Sequence, residues 1–553
     1  MRMQRVRDPA TLLVGNHQRG EGDEIEQIPP SPPDHERGGE QHEQVVVGRD
    51  REAPLRDRER KGAEESGKRP ERRAAIEVWA RWAPALAALG AAVPAVLLRL
   101  PFWHAPLTAD EGGFAEVARL WDRGAVLYRD IWVDRPQGLL LVFRGVVHLG
   151  GGSTEVIRAV AAAVGVLVVL ATMLLALRLA GRITAVLAGL LAATVGASPF
   201  VESFTLSGEL VASFWVVVSL LAFAGYIRTR RLVWAFAAGL LAGAALMTKQ
   251  SAIDAGLAAA AYLVWRERRR ALRPLGALVL GMAVPVAAAA ASAPRLGDWW
   301  FAVVGYRGHG DSLLTGSFQA RLDMLADSIP NAAKALGLLV LLAAVAWRRA
   351  PLLARLWLGA AVLGFLGGGN FHPHYYLQLV PPLALLAGIG AARLLAARPR
   401  AASVVLAAAA TASVALAAPL WFAGAREQAK EIWPHDPHLV HDAAVADYVR
   451  SHTHPGERIF VVWAAADLYY LADRDPAFKY MWFRNVQTIP HALRDARRML
   501  AARRPTLVVA AQPPGSLDRS GRTAEILRRE YRLAARVDGV PIYRIRRAGY
   551  IRR

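Results

Sequence analysis

The sequence predicts an all-α polytopic membrane protein with about eleven transmembrane helices, followed by a small α/β domain outside the membrane. Two observations predict this fold class. Of the 553 residues, 54% are hydrophobic, and Ala/Leu/Val-rich runs recur between residues 78 and 420, broken by short Arg-rich or aromatic interruptions. After residue 420 the pattern changes to short β-rich runs that alternate with polar helical segments. We therefore expect an N-terminal tail (1–77), a membrane domain (78–420) and a C-terminal domain (421–553).

The N-terminal tail is predicted to be disordered and cytoplasmic. Residues 1–77 are rich in Pro, Gly, Glu and Arg, and such a composition cannot bury enough apolar surface to fold. The acids and bases of the tail nearly balance, so the net charge of +21 comes mainly from basic clusters between the apolar runs. Charge in that position indicates membrane topology and argues against a nucleic-acid partner.

Arginines between the apolar runs predict the orientation of the membrane domain. Five alternate loops carry sixteen arginines and a single acid, Glu267, whereas the opposite loops carry almost no basic residues. Because basic loops stay in the cytoplasm, we expect a multi-pass protein of the plasma (inner) membrane with its N-terminus inside and its C-terminal domain outside. This orientation requires residues 138–151 to lie on the outer surface as an amphipathic helix, within one outer loop, 101–156. The predicted spans are 79–100, 157–177, 183–198, 209–227, 232–247, 252–265, 274–292, 331–347, 356–369, 375–392 and 401–419.

The C-terminal domain is predicted from four apolar, β-rich runs and the helical pattern between them. The helical pattern covers residues 488–504. The four predicted strands are 458–463, 505–511, 531–537 and 539–545.

Two adjacent carboxylates, Asp110 and Glu111, open the helical part of the outer loop 101–156. Acids at this point can simply cap the helix and stabilise its dipole. Their position at the membrane edge also suits chemistry: a carboxylate there can take a proton from an acceptor hydroxyl, or the pair can hold a divalent cation such as Mg²⁺ or Mn²⁺.

Two cations in the outer segments are candidates for binding a phosphate. Arg135 follows Asp134, and its planar guanidinium suits a pair of phosphate oxygens, although a surface ion pair with Asp134 is an equal alternative. Lys249 lies in a tight turn between two apolar runs. It can neutralise a phosphate, or it can extend along the interface towards water without a function.

Asp134 and further polar residues at the outer ends of the spans are candidates for lining a pocket. Glu202 and Glu209 can bind a sugar hydroxyl or cap helices. His374 and Tyr375 can donate hydrogen bonds, although an interfacial aromatic belt also explains the tyrosine. His309 lies between two glycines in a long outer loop, as in a lid.

Several kinds of chemistry are excluded by the sequence. The chain has no cysteine, so thiolate chemistry and disulfides are excluded. It shows no Walker A loop, no dinucleotide fingerprint, no HExxH and no nucleophile elbow. We therefore expect no nucleotide cofactor, and an activated donor on the outer side would arrive attached to a lipid.

Four segments resemble the polyprenyl-phosphate-sugar-dependent glycosyltransferases of the GT-C fold. The segments are TADEGGFAEVARLWDRGAVLYRDIW, VDRPQG, LMTKQSA and HYYLQLVPPLALLAG, and the resemblance covers about residues 80–420. The branch they resemble contains the Rgt-type galacturonosyltransferases, the aminoarabinose transferase of lipid A and the protein O-mannosyltransferases. Two departures are Arg135, where the family often carries Lys, and Glu209, which matches an often acidic position only loosely.

This resemblance implies the transfer of a sugar from a polyprenyl-phosphate donor to a hydroxyl of a cell-envelope glycan, lipid or protein, with inversion. By analogy, Asp110 would be the general base or a metal ligand with Glu111 beside it. Arg135 and Lys249 would bind the donor phosphate, and His374 with Tyr375 would line the donor pocket. A transporter or flippase for an envelope precursor is the alternative, but it would place its charges near the middle of the membrane.

Overall fold

A computed structural model describes residues 83–150, 152–306, 318–463, 465–516 and 518–546. All of them belong to one compact unit, Val78–Arg553. The predicted N-terminal tail, 1–77, and the predicted pocket residue His309 lie outside the described residues.

Apolar helices make up most of residues 83–420. Six are long and apolar enough to cross a membrane: Ala83–Phe102, Thr154–Ala180, Gly208–Thr229, Asp254–Ala291, Phe318–Arg349 and Pro373–Ala397. Five shorter apolar helices accompany them: Gln137–Gly150, Arg182–Ala197, Leu232–Thr248, Leu352–Gly368 and Pro399–Ala415. Each of the eleven predicted spans falls on one of these helical segments. The mostly helical membrane fold is therefore confirmed, while the number of crossings stays a prediction.

The helices that position the site are labelled in chain order. They are α1 (83–97), α2 (Ala109–Asp122), α3 (Gln137–Gly150), α4 (Thr154–Ala180), α5 (Arg182–Thr194), α6 (Gly208–Thr229) and α7 (Leu232–Thr248). Next come α8 (Asp254–Glu267) and α9 (Leu272–Ala291), two helices within the fourth long apolar segment that are separated by a 3₁₀ turn in the Arg-rich stretch.

Close packing between α7 and α9 is made possible by small residues. A Cβ atom added to Gly239 or Gly243 on α7 would collide with main-chain atoms of α9. Small residues spaced four apart let two helix backbones approach, which favours association in an apolar solvent. This contact holds α7 in place, and Lys249 lies directly after its end.

Residues 101–156, which the sequence predicts to form one outer loop, contain two helices. The helix α2 begins with a capping box between Thr108 and Glu111, which satisfies donors at the start of a helix. The helix α3 occupies the segment predicted as an amphipathic surface helix. One face of α3 buries Leu139, Leu140 and Phe143, while Leu149 is exposed. Its orientation relative to a membrane stays a prediction.

The C-terminal part forms a four-stranded sheet with helices around it. All four predicted strands are present: β1 (Ile459–Val462), β2 (Leu507–Ala510), β3 (Tyr531–Val537) and β4 (Val540–Ile545). The spatial order is β1-β2-β4-β3, with β1 parallel to β2 and the other neighbouring pairs antiparallel. Every residue of β1 and β2 is buried, as expected for strands covered on both faces. That residues 421–553 form a domain of their own stays a prediction.

Helices surround this sheet and link it to the membrane part. They are α16 (Ala425–Ile432), α17 (Asp442–Ser451), α18 (Asp467–Ala472), α19 (Phe483–Thr488), α20 (Ala492–Ala501) and α21 (Arg522–Glu530). The described helices between α9 and α16 are α10 (Leu296–Trp300), α11 (Phe318–Ala346), α12 (Leu352–Gly368), α13 (Val380–Ala397), α14 (Pro399–Ala415) and α15 (Ala418–Trp421). The predicted helix 488–504 is shorter than expected, since α20 covers only its middle. The helix α18 packs against α2, so the C-terminal part lies against the first outer loop.

Candidate active site

One pocket gathers residues that are far apart in the sequence. It has an empty volume of about 300 Å³. Seven of the predicted site residues line it: Asp110, Glu111, Arg135, Glu202, Glu209, Lys249 and His374. The other lining residues are Thr108, Phe114, Thr205, Leu206, Ser207 and Gly208. Five separate stretches of chain therefore meet at one place.

Asp110 is the accessible carboxylate of the pocket. Its side chain is 41% exposed. The indole nitrogen Nε1 of Trp482, in the C-terminal part, donates a hydrogen bond to Asp110 Oδ1 over 3.1 Å, and Nη2 of Arg135 lies 3.7 Å from Oδ2. The carboxylate is thus oriented by two donors while one side stays open to an incoming hydroxyl, as a general base requires.

Glu111 has a different environment from its neighbour. Its side chain is 2% exposed and pairs with Arg158, and Oε1 also accepts the backbone N–H of Leu206 over 2.8 Å. The other oxygen, Oε2, accepts the backbone N–H of Thr108 in the capping box. Adjacent residues on a helix do not face each other, so Asp110 and Glu111 address different partners. The sequence left two interpretations open for this pair, helix capping and a chemical role. Capping describes Glu111 and not Asp110.

The same geometry bears on the expected divalent cation. Glu111 is already engaged by Arg158 and by two backbone donors. The pair therefore does not present two free carboxylates to one ion, and the residues present do not fit a cation held jointly by Asp110 and Glu111.

Arg135 is a buried cation that pairs with two partly exposed carboxylates. Its side chain is 9% exposed, and Nη1 lies 2.7 Å from Oδ2 of Asp134. The guanidinium also lies 5.6 Å from the ring centre of Phe114, as in a cation–π contact. Burial lowers the pKa of Arg135, but the carboxylates of Asp134 and Asp110 outweigh it and hold this pKa above its usual value. The ion pair with Asp134 that formed the alternative expectation is present: Arg135 is buried in it, whereas Asp134 is 22% exposed. Arg135 carries a permanent charge.

Lys249 forms the second buried pair. Its Nζ lies 2.6 Å from Oε1 of Glu209, with the two side chains 5% and 3% exposed. The same Nζ lies 4.5 Å from the ring centre of Tyr375, as in a cation–π contact. Lys249 therefore points into the protein, and the interpretation that it extends towards water at the interface is wrong.

Glu202 and His374 form a third pair on the wall of the pocket. Nδ1 of His374 lies 3.0 Å from Oε2 of Glu202. Glu202 is buried and has a φ of 54°, a left-handed conformation that is unfavourable for a residue other than glycine and that clusters at functional sites. Tyr375 packs edge-on against His374, with ring centres 5.1 Å apart.

Sequence reasoning missed two residues that organise the pocket. Arg158 is 3% exposed and lies inside a predicted span; a lone arginine within a span is itself a signal of a buried partner. Trp482 reaches Asp110 across 372 positions of sequence, and nothing local marks it. Asp134 contributes through its backbone as well, since its carbonyl oxygen accepts the Nε2 amide of Gln250 over 2.8 Å.

Comparisons with known proteins agree with this architecture. A family model for dolichyl-phosphate-mannose-protein mannosyltransferases matches residues 134–292. No curated protein matches the sequence. The crystal structure of ArnT from Cupriavidus metallidurans bound to undecaprenyl phosphate is similar, with a TM-score of 0.59 and 17% identity, covering 83% of this chain and 98% of that one. The apo state of the same ArnT has a TM-score of 0.53 and 17% identity, covering 85% and 98%.

The family model spans Arg135 and Lys249, and the similarity to ArnT covers 83% of this chain. The resemblance to the GT-C glycosyltransferases that the sequence predicts is thereby confirmed, and the chain has their fold.

Proposed function

We propose that this protein is a membrane glycosyltransferase that moves a sugar from a polyprenyl-phosphate donor to an acceptor hydroxyl, with inversion. The observation that carries this proposal is the meeting of Asp110, Arg135 and Lys249 in one pocket. An open carboxylate beside two buried cations is the set of groups that this transfer needs. The acceptor would be a glycan, lipid or protein of the cell envelope, on the outer face of the plasma membrane.

The reaction is a single displacement at the anomeric carbon. It requires a base at the acceptor hydroxyl and positive charge at the leaving phosphate, on the opposite side. The acceptor oxygen attacks the anomeric carbon, its proton passes to the Asp110 carboxylate, and the bond from the anomeric carbon to the phosphate oxygen breaks. The leaving phosphate keeps the electron pair and gains negative charge, which Arg135 and Lys249 stabilise. Because the attack is in line, the anomeric centre inverts.

The acids that pair with the two cations have a separate role. Asp134 and Glu209 hold Arg135 and Lys249 in place when no phosphate is present. A buried cation without a partner would be costly, so this pairing keeps the pocket intact between turnovers. When the donor binds, the phosphate shares these cations with the carboxylates.

Two helix N-termini contribute a positive electrostatic potential to the pocket. The helix α2 begins at Ala109 and α6 begins at Gly208, and residues at both starts line the pocket. The backbone N–H groups at helix starts favour an anionic group such as a phosphate. His374, fixed by Glu202, and Tyr375 would line the donor side of the pocket.

The comparisons support the class of donor. The similar ArnT structure contains undecaprenyl phosphate, and the matching family model is named for transfer from dolichyl-phosphate mannose. Both are polyprenyl phosphates, so a donor of this class fits the fold. The alternative of a transporter is less well supported, because the charged residues gather in one pocket at the ends of helices.

The test uses a deletion strain whose envelope glycans and lipids are compared with those of the wild type by mass spectrometry. Plasmids restore either the wild-type protein, Asp110→Asn, or the matched control Asp130→Asn, whose side chain is similarly exposed (43% against 41%) and lies outside the pocket. We expect the glycan lost in the deletion strain to return with the wild type and Asp130→Asn. Asp110→Asn should reduce transfer by about 100-fold or more.

The amount of each variant in the membrane is measured in parallel by immunoblotting. Full transfer by an inserted Asp110→Asn protein would remove Asp110 as the base. An unchanged envelope in the deletion strain would refute the proposed function itself.

A further inference from the structure

A second group of ionisable side chains lies in the C-terminal part, apart from the pocket. It consists of His438, Asp442 and Asp467, and one ligand atom from each lies within 4.8 Å of the other two. The three residues are 5%, 2% and 0% exposed. Among the residues that the structure describes, this is the only set of three or more His, Asp or Glu side chains that meet so closely.

Local structure brings these residues together. His438 lies in the 3₁₀ turn Pro437–Val440, and Asp442 begins α17 one helical turn later. Nδ1 of His438 lies 2.5 Å from Oδ2 of Asp442. Asp467 comes from a different element, because it is the first residue of α18 after strand β1.

The burial of the Asp467 carboxylate is the observation that points to a ligand. The side chain of Asp467 is completely buried, and no N–H or O–H donor in the described part of the chain reaches either carboxylate oxygen, whose polar neighbour is the second acid, Asp442. The backbone of α2 closes over it: a Cβ atom added to Gly112 would lie only 2.5 Å from Cα and Cβ of Asp467. A buried carboxylate without a compensating charge costs several kcal/mol, and a bound cation would remove that cost.

The charge of the group is also uncompensated. Two carboxylates face one imidazole, and no Lys or Arg side chain forms an ion pair with Asp442 or Asp467 in the described ranges. Both acids are therefore unfavourable as bare carboxylates in this position.

We infer that His438, Asp442 and Asp467 bind one divalent transition-metal ion, for which Zn²⁺ has the matching chemistry. One imidazole nitrogen and two carboxylate oxygens are a common ligand set for zinc, with water as the fourth ligand. Two carboxylates balance the charge of a divalent ion. Zinc bonds of about 2.1 Å place ligand atoms about 3.4 Å apart in a tetrahedron, so the side chains need only small rotations to close around the ion.

The position of the group indicates what the ion does. It joins α17 and α18 at the point where α18 packs against α2, the helix that carries Asp110. The ion would thus hold α17 and α18 together within the C-terminal part, next to the contact between α18 and α2. This inference does not rest on glycosyl transfer, because the three ligands lie outside the pocket.

The test is a metal measurement on the full chain purified in detergent. Protein that has been stripped with EDTA and desalted is titrated with ZnCl₂ alone, and bound zinc is counted by plasma mass spectrometry. We expect about one zinc per chain and a higher melting temperature with zinc. Asp467→Asn and His438→Gln should each weaken binding by about 100-fold or more.

Two controls separate this site from other sources of binding. Asp436→Asn removes an exposed acid two positions from His438, and Asp110→Asn alters the pocket; both should keep one zinc per chain. If the stripped wild type binds no zinc, or if Asp467→Asn binds it as tightly as the wild type, the inference is wrong. If the wild type takes up no metal and Asp442→Asn is more stable than the wild type, the group is instead a carboxyl pair that shares a proton. Since the wild-type titration needs no variant, misfolding of a variant cannot hide the result.

Discussion

The pair of Lys249 and Glu209 makes it possible to separate a structural role from a role in binding the donor phosphate. Lys249→Met keeps the length of the side chain and removes its charge, which leaves Glu209 buried at 3% exposure without the cation 2.6 Å away. Breaking a buried pair on one side costs about 3–5 kcal/mol, because the remaining charge has no partner. The lost contact with the Tyr375 ring adds up to about 2 kcal/mol. Lys249→Met should therefore lower the melting temperature markedly.

The double variant Lys249→Met/Glu209→Gln provides the decisive comparison. With both charges gone, the penalty of an unpaired buried charge disappears, and we expect most of the stability to return. Transfer should not return, because the donor phosphate still lacks one of its two cations. The assay combines the melting temperature in detergent with sugar transfer in membranes at matched protein levels. A stable double variant with wild-type transfer would refute phosphate binding by Lys249, and a single variant as stable as the wild type would refute the buried pair.

Three other predictions follow from the same network. Glu111→Gln and Arg158→Met should each destabilise the protein by about 3–5 kcal/mol, measured as a fall in the melting temperature. A Glu111→Gln protein that stays folded should keep measurable transfer. Complete loss of transfer at normal stability would make Glu111 a reacting group. Arg135→Lys keeps the charge but loses the planar pair of donors, so the KM for the donor should rise about 10-fold or more; an unchanged KM would contradict a bidentate contact. Trp482→Phe removes the N–H that orients Asp110 and also part of the ring that packs against Phe114, so both kcat and the melting temperature should fall, with kcat falling by about 10-fold at matched protein levels. An unchanged kcat would refute the orientation of Asp110 by Trp482.

Much of the fold could be predicted because it follows from local patterns. Apolar runs locate the helices, since backbone groups in an apolar solvent must bond within their own segment. The four strands of the C-terminal sheet were also predicted, because runs such as residues 507–510 are apolar throughout and end at turn residues. The helix α20 was predicted too long, since its ends depend on neighbouring packing and not on periodicity.

The site could be predicted in part. Residues at the outer ends of spans were selected as candidates, and seven of them line one pocket. What each one does could not be read from the sequence: Asp110 and Glu111 are neighbours with the same chemistry, yet one is open and the other is held by Arg158. The pairing of Lys249 with Glu209 and the hydrogen bond from Trp482 to Asp110 were not predicted either.

The sequence by itself determined the class of the protein and the residue types available for its chemistry. Three features are local properties that can be identified without knowing any tertiary contact: the hydrophobicity, the placement of the arginines and the acidic motif after the first apolar run. The tertiary structure alone decided which carboxylate is free, which cations are paired, and that His438, Asp442 and Asp467 meet behind α2. The physical reason is that burial and ion pairing depend on distances between residues far apart in the chain. The cost of a buried charge is set by those partners, and a linear pattern does not contain them.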